Sequence, residues 1–288
     1  MIPGSFAYHR PRSVGEALAL LADLGEEARP LAGGHSLIPM MKLRLAVPEA
    51  LVDLGAIAEL RGVRRDGGAM LIGATTTMAD LIASGELAAA IPIIREAALV
   101  IADPQVRARG TLGGNVANGD PGNDMPALMQ CLDATYLVAG TSGARDIAAR
   151  AFYQGAYFTS LAPGEMVTGI RVPVPPAGHG WAYEKLKRKV GDYATAAAGV
   201  VLAMRGGRVA SVAIGLTNVG DTPLFAEDAG NILTGSALDA ATVDRAVAAA
   251  EAITSPASDG RGPAAYRTKM AGVMLRRALA RAAARAGQ

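Results

Sequence analysis

The chain has 288 residues, a formal net charge of +2 and one cysteine. This length exceeds the size at which one hydrophobic core usually keeps growing, so two or three domains are expected. The balance of 28 basic and 26 acidic residues argues against a nucleic-acid partner, and the single cysteine excludes an internal disulfide and any cluster held by four thiolates.

The first sixty residues predict a small subdomain built around a glycine-containing loop. A capping-box pattern at Ser13 and Glu16 begins a helix that ends at Gly25. The loop consists of Ala32-Gly33-Gly34-His35-Ser36, and the helix after it would point backbone N–H groups toward an anion held there. The other elements predicted here are strands over 29–31 and 51–54 and a helix over 37–45.

The next stretch, 61–177, predicts a second subdomain in which helices and strands alternate. Asp66-Gly67 between two apolar runs indicates a hairpin, and Thr77 is placed to cap a helix. No regular strand–helix–strand repeat is visible, so the expected layout is α+β. The predicted elements are strands over 62–65, 69–73, 134–139 and 166–172, and helices over 91–102 and 127–132.

Residues 101–124 predict a long, ordered polar loop on which the rest of the chain converges. The segment is rich in glycine, asparagine and aspartate and shows no periodic apolar pattern. Its Gly113-Gly114 pair would let the backbone approach a ligand, and consecutive N–H groups in such a turn bind anions. Taken alone, this segment would be interpreted as a plain surface loop rather than as a ligand site. A second glycine loop at 32–36 favours a phosphate site, although neither loop fits a Rossmann or Walker A fingerprint.

A segment dense in proline and glycine, 172–180, indicates a domain boundary. Three extended stretches after it predict an antiparallel meander, with Gly206-Gly207 as one tight turn. These strands are expected over 181–189, 194–204 and 209–217, followed by helices over 225–233, 242–253 and 266–284. The expected domains are therefore 1–60, 61–177 and 178–288.

Membrane and metal functions find little support in the sequence. Its apolar runs are too short to cross a bilayer, and no secretory signal is visible, so a cytoplasmic location is expected. The three histidines are scattered and lie in no His-Glu-x-x-His motif, which argues against a catalytic zinc. A basic run at 185–189 is open to two interpretations, a phosphate or partner site and a solvated face. The solvated interpretation is favoured for Lys187 and Lys189.

Several motifs together resemble one family. Ala32 to Ser36, Thr111-Leu112-Gly113-Gly114-Asn115 and the flanking Asp103 to Arg107 resemble the paired FAD-pyrophosphate loops of flavoprotein subunits in the molybdenum hydroxylase family. The resemblance covers essentially the whole chain. It implies an α+β protein: a two-subdomain FAD-binding fold of the vanillyl-alcohol-oxidase/PCMH type, plus a C-terminal α+β domain with a three-stranded antiparallel sheet. Within the family, the sequence from Gly191 to Ala194 favours the branch that oxidises carbon monoxide.

The resemblance also implies the cofactor-binding residues, with the two glycine loops at the pyrophosphate, Asp124 on the adenosine side and Tyr193 against one face of the isoalloxazine. Other interpretations stay open: Ile101 and Met166 as core, Lys185 as a solvated charge, Asp124 as a helix N-cap and Tyr193 as an ordinary hairpin aromatic. No catalytic or metal-binding residue is expected. The implied set is Ala32, Gly33, Gly34, His35, Ser36, Ile101, Thr111, Gly113, Gly114, Asn115, Asp124, Met166, Lys185 and Tyr193.

The resemblance further implies an oxidoreductase of three kinds of chain, arranged as a dimer of heterotrimers. A large subunit would hold the molybdenum cofactor and oxidise the substrate, and a small one would hold two-iron two-sulfur clusters. This chain would carry FAD and pass electrons to a quinone-type acceptor, in the cytoplasm or peripherally at the inner face of the membrane. The alternatives are the same subunit of a hydroxylase acting on xanthine or an aromatic compound, and a self-contained flavin oxidoreductase. A structural subunit without cofactor is disfavoured because both glycine loops are intact.

Overall fold

The computed structural model describes residues 2–287 and begins with a small parallel sheet. Its strands lie in the order β1-β3-β2, so the third strand of the chain is central. The predicted first helix is confirmed, since Ser13 caps it through the Glu16 N–H and it ends at Gly25. The elements are β1 (Ala7–His9), α1 (Val14–Leu24), β2 (Ala28–Leu31), α2 (Leu37–Lys42) and β3 (Ala50–Asp53).

The middle part is a five-stranded antiparallel sheet in the order β4-β5-β10-β6-β7. The predicted hairpin at Asp66-Gly67 is confirmed, and Thr77 caps its helix in a capping box with Asp80. The edge strand β7 was not predicted because five of its six residues are exposed and carry little apolar signal. The strands of this sheet are β4 (Val63–Asp66), β5 (Ala69–Gly73), β6 (Thr135–Gly140), β7 (Gly143–Ala148) and β10 (Met166–Pro173). Two further strands, β8 (Tyr153–Gly155) and β9 (Phe158–Thr159), pair with each other in a separate two-stranded sheet.

The prediction of a continuous polar loop over 101–124 is wrong. The segment contains two short helices, and a third begins at Asp124. Leu112 and Val116, four residues apart, are fully buried and fix the second of these helices to the core. The pattern escapes notice because the polar residues that cap such short helices dominate the composition. The helices of the middle part are α3 (Met78–Ala83), α4 (Gly85–Ala90), α5 (Pro92–Val100), α6 (Pro104–Arg107), α7 (Leu112–Ala117) and α8 (Asp124–Cys131).

The last part is an antiparallel sheet followed by helices, and the α+β fold class is confirmed. The predicted three-strand meander is present, with its tight turn at Gly206-Gly207, but a short fourth strand extends it. The strands are β11 (Gly180–Leu186), β12 (Ala196–Arg205), β13 (Arg208–Thr217) and β14 (Leu224–Phe225). The helices are α9 (Glu227–Leu233), α10 (Ala240–Ala252) and α11 (Ala264–Arg285).

This C-terminal sheet is covered on both faces. Along β12, alternate residues such as Ala198 and Val200 belong to the core shared with α10 and α11, whereas Ala197 belongs to the core of the middle part. On the latter face α8 packs so closely that a Cβ on Gly215 would lie 2.3 Å from the Ala127 carbonyl oxygen. This contact fixes the C-terminal sheet against the middle part, next to α8. No helix within residues 2–287 is long and apolar enough to cross a membrane.

Candidate functional site

All of the cofactor-binding residues predicted from the sequence line a single cavity of about 610 Å³. It is lined by the connection between β2 and α2, the region from α7 to the start of α8 and the loop between β11 and β12. The residues that follow β5 and α5, the segment 157–167 and the end of β11 also contribute to the lining. A cavity of a few hundred cubic ångströms is typical of cofactor and ligand sites. The fold therefore brings together residues that are as much as 161 positions apart, Ala32 and Tyr193 being the extremes.

The first glycine segment, residues 32–36, presents unpaired backbone donors to this cavity. Within the described part of the chain, the N–H groups of Gly33, Gly34, His35 and Ser36 donate no hydrogen bond to protein. Gly34 has a φ of 75°, a conformation that glycine adopts readily and other residues rarely do. Consecutive N–H groups around such a turn, followed by the start of α2, form a concavity suited to an anion.

The second glycine segment, residues 111–115, differs because its donors are already used. Leu112 donates to the backbone of the turn between β5 and α3 at 2.9 Å, and Gly113 donates to the Ala74 oxygen at 2.9 Å. Gly114 donates to Thr111 Oγ1 at 3.1 Å, which caps α7. The expectation that this segment is a turn of free N–H groups is therefore corrected. It contributes a wall of the cavity and the positive end of a short helix dipole.

Two of the glycines that line the cavity are also needed for packing within the protein. A Cβ on Gly33 would lie 2.3 Å from the Arg109 carbonyl oxygen, and one on Gly113 would lie 2.6 Å from the Cβ of Ala74. Real Cβ atoms do not approach backbone so closely, so either substitution would push the walls of the cavity apart. Gly113 lines the cavity although it is buried, and its close approach to a ligand stays a prediction, whereas Gly114 is exposed beside the cavity.

A buried ion pair forms the end wall of the cavity. Lys185 Nζ lies 2.7 Å from Asp124 Oδ2, and the two side chains are 3% and 5% exposed. Tyr183 donates its hydroxyl to Asp124 Oδ1 at 2.6 Å, and burial together with the charge of Asp124 holds the pKa of Tyr183 well above its ordinary value. Asn123, not Asp124, is the N-cap of α8. The cap interpretation of Asp124 and the solvated interpretation of Lys185 are therefore both wrong.

The C-terminal end of α5 meets a second group of cations. Lys187 Nζ donates to the Val100 oxygen at 3.1 Å, and Arg107 Nη1 donates to the Ile101 oxygen at 2.8 Å. Both contacts fall where the helix dipole is negative. Lys187 is half-buried rather than solvated, and burial followed by the neighbouring charge of Lys185 lowers its pKa. The solvated interpretation holds for Lys189, which is exposed.

The two apolar residues predicted for the site are both buried at the cavity. Ile101 is 8% exposed and Met166 is 3% exposed, and each belongs to an apolar core cluster as well as to the lining. The core interpretation and the lining interpretation are therefore compatible. Side chains of this kind give a flat, water-poor surface against which a ring system can pack.

Aromatic side chains stand at the mouth of the cavity. Tyr193, 41% exposed, lies in the loop between β11 and β12 and packs so close to Gly122 that a Cβ there would be 2.8 Å from its ring. Tyr157 also lines the cavity and has a φ of 63°, uncommon for a residue with a side chain. Partial burial and the nearby Asp120 raise the pKa of both phenols.

Sequence reasoning missed several lining residues, Tyr157 above all. It stands alone in a stretch with no motif, and only the fold brings it to the cavity. Asn123 could have been found, because it lies one residue before Asp124; its Nδ2 donates to the Asn115 oxygen at 2.8 Å and so ties α8 to α7. The lining residues that were not predicted also include Arg29, Asn118, Leu161, Glu165, Gly191 and Asp192.

The described part of the chain contains side chains of the types that bind metals, and one buried thiol. Among residues 2–287, no three His, Cys, Asp or Glu side chains are grouped so that they could hold a metal ion. Cys131 is buried on α8 with its Sγ 3.2 Å from the Ala213 oxygen, and burial raises the pKa of the thiol to about 12. Cys131 is thus a small apolar residue of the core.

Two protein-family models match the chain. An FAD-binding domain in molybdopterin dehydrogenase matches residues 4–175, and a CO dehydrogenase flavoprotein C-terminal domain matches residues 181–282. The carbon monoxide dehydrogenase medium chain of Afipia carboxidovorans is 68% identical over 286 residues, 99% of each chain. That of Hydrogenophaga pseudoflava is 52% identical over 285 residues, again 99% of each. A chain of the reconstituted CO dehydrogenase from Oligotropha carboxidovorans matches with a TM-score of 0.99 at 68% identity, covering 99% of this chain and 100% of that one.

Proposed function

Because the chain belongs to the family of FAD-binding flavoprotein chains of molybdopterin dehydrogenases, we propose that it is the FAD-carrying medium subunit of a carbon monoxide dehydrogenase. The single observation that carries the proposal is the cavity, where four unpaired N–H groups, a buried ion pair and an exposed tyrosine line one space. The 68% identity to a carbon monoxide dehydrogenase medium chain, over 99% of both chains, favours this branch of the family.

The residues present fit FAD. Its diphosphate needs several N–H donors that are not already paired, and Gly33 to Ser36 supply them. Its ring system needs an apolar slot, and Ile101 and Met166 offer one. Of the three cations near the end of α5, Lys185 lines the cavity, and its charge is paired with Asp124.

Bound FAD would supply reversible electron transfer, and this chain would bind and orient it and restrict its solvent access. The first glycine segment would hold the diphosphate by its N–H groups. The ion pair of Asp124 and Lys185 would form a rigid end wall, since each charge is fixed by the other and Asp124 also accepts the Tyr183 hydroxyl. Tyr193 would lie over the ring system and limit the access of water and oxygen to one face.

The finer parts of the proposal concern the assembly. Electrons would come from iron-sulfur clusters on a small partner chain, because a sequence with one cysteine cannot hold such a cluster. A large partner chain would carry the molybdenum cofactor at which carbon monoxide is oxidised, and the assembly would be a dimer of heterotrimers. A quinone-type molecule would accept the electrons, in the cytoplasm or at the inner face of the membrane.

Anaerobic absorbance spectroscopy tests the proposal. The complex of this chain with its large and small partner chains is expected to contain one FAD per copy, and the flavin bands should bleach when carbon monoxide is added. The isolated chain, even with FAD bound, should show no bleaching. Absence of flavin from the complex would contradict the cofactor assignment. Bleaching by xanthine or an aromatic compound, but not by carbon monoxide, would move the chain to another branch of the family.

A further inference from the structure

The connection between α10 and α11 reaches the loop that carries Tyr193. The part of this connection formed by residues 255–262 is called the 255–262 loop. From this loop, the guanidinium carbon of Arg261 lies 5.6 Å from the centroid of the Tyr193 ring, within the range of a cation–π contact. Tyr193 lines the cavity, and Arg261 stands one layer behind it. The loop is therefore placed to affect the mouth of the cavity without entering it.

Arg261 is itself held in place by a neighbouring carboxylate. Its Nη1 lies 2.8 Å from Asp259 Oδ2, and its backbone N–H donates to Asp259 Oδ1 at 2.7 Å. Asp259 is in turn 3.3 Å from Arg267, whose side chain is 4% exposed and whose Nε donates to the Thr195 oxygen at 3.1 Å. The guanidinium of Arg261 is thus fixed, through Asp259 and Arg267, to the residue just before β12.

A second set of contacts ties the two loops together. Arg188 Nε donates to Asp192 Oδ2 at 2.9 Å, and Arg188 Nη1 donates to the Gly260 oxygen at 2.9 Å. Arg261 Nη2 lies 4.0 Å from Asp192 Oδ1, and the Asp192 side chain is only 10% exposed. Burial alone would raise the pKa of Asp192, but the bond from Arg188 and the charges of Arg188 and Arg261 lower it overall. The carboxylate therefore stays ionised and keeps both arginines paired at neutral pH.

One feature of Arg261 indicates more than a stabilising role. Its Nε is buried without a hydrogen-bond partner, although an unpaired buried donor costs free energy. Nη1 and Nη2 face the two carboxylates, while the guanidinium carbon lies over the Tyr193 ring. The side chain is thus held where it supports the ring, at the expense of one hydrogen bond.

From these contacts, and resting on the proposed function, we propose that Arg261 is a positioning residue that fixes the Tyr193 ring at the mouth of the flavin site. The 255–262 loop would then be part of the site although it contributes no lining residue. Tyr193 is 41% exposed, and Arg261 supports its ring from the side of the 255–262 loop, so removal of the guanidinium should let the loop that carries Tyr193 move.

Hydrogen exchange on the full chain, in complex with its partners, tests this without relying on the cofactor. In Arg261→Ala, the amides of residues 187–195 should exchange about fivefold or more faster than in wild type, because the contacts that close this loop are lost. Arg276→Ala is the matched control, since Arg276 pairs with Asp244 on an exposed face of the same domain. It should leave exchange in residues 187–195 unchanged. If Arg261→Ala does not fold, Arg261→Gln carries the same test.

The flavin spectrum supplies the second measurement. Arg261→Ala should retain FAD and shift the flavin bands in the same direction as Tyr193→Ala, and the double variant should match Tyr193→Ala alone. Unchanged exchange in residues 187–195 of the arginine variant would overturn the proposal. So would a further spectral shift in the double variant, because Arg261 would then act on the cavity directly. If the wild-type complex holds no flavin, the proposed function fails, while exchange still decides whether Arg261 positions the loop.

Discussion

The two glycine segments of the cavity are alike in sequence, but their backbone N–H groups are used in opposite ways. Residues 32–36 form a turn whose N–H groups are free, with Gly34 at positive φ. Residues 111–115 are the start of a helix whose N–H groups are paired and whose Gly113 is buried against Ala74. A glycine pair in a sequence therefore does not reveal whether the backbone is kept open for a ligand or brought close to the protein itself. The surroundings decide: the turn between β5 and α3 and the Thr111 hydroxyl take up the N–H groups of the second segment, whereas those of the first stay free.

The largest effect is expected where the second segment leads into the buried ion pair. Asp124→Ala leaves the ammonium of Lys185 buried without its partner, which should lower the free energy of unfolding by about 3–5 kcal/mol. The double variant Asp124→Leu/Lys185→Met should recover most of this loss, because no buried charge remains. Urea denaturation at pH 7 measures both. A single variant within about 1 kcal/mol of wild type would mean that water reaches the pair.

Packing glycines come next, and both segments contain one. Gly33→Val and Gly113→Val should each lower the free energy of unfolding by about 1–3 kcal/mol, because the new Cβ meets backbone or a buried methyl group that cannot move freely. Gly68→Ala is the matched control: it has open space around it and should change stability by less than about 0.5 kcal/mol. Thermal denaturation measures this, and two valine variants with the same midpoint temperature as the control would contradict this account.

The sequence predicts which residues line the site better than it predicts which groups they contact. Every residue that the family resemblance assigned to the cofactor lines the cavity, and the sheets and long helices follow their apolar patterns. What the sequence could not give was the partner of each polar group. Asp124 was equally consistent with a helix cap until the fold placed Lys185 beside it, 61 residues away. Tyr157 and Arg261 carry no local pattern at all, since their importance arises from contacts between distant segments.

Backbone conformation should give a smaller difference in stability between the two segments. Gly34→Ala forces a side chain into the left-handed region and should lower the free energy of unfolding by about 1–2 kcal/mol. Gly114 is helical and exposed, so Gly114→Ala gains helix propensity, partly offset by crowding against Thr111 Oγ1, and should stay within about 1 kcal/mol of wild type. Equal losses in the two variants, measured by chemical denaturation, would remove this distinction between the segments.

The smallest and sharpest comparison uses the hydroxyl at the start of each helix. Thr111 Oγ1 accepts the Gly114 N–H and caps α7, whereas Ser36 makes no side-chain cap to α2. Thr111→Ala should therefore lower the free energy of unfolding by about 1 kcal/mol, the usual cost of a lost cap, while Ser36→Ala should change it by a few tenths at most. For FAD binding the order should reverse, with the larger loss in Ser36→Ala. Because Ser36 keeps its hydroxyl free beside unpaired N–H groups, Ser36→Ala should weaken FAD binding with stability unchanged, and titration of the flavin-free protein with FAD measures this. A serine variant that loses stability but binds FAD normally would mean that the first segment, like the second, serves the fold before the ligand.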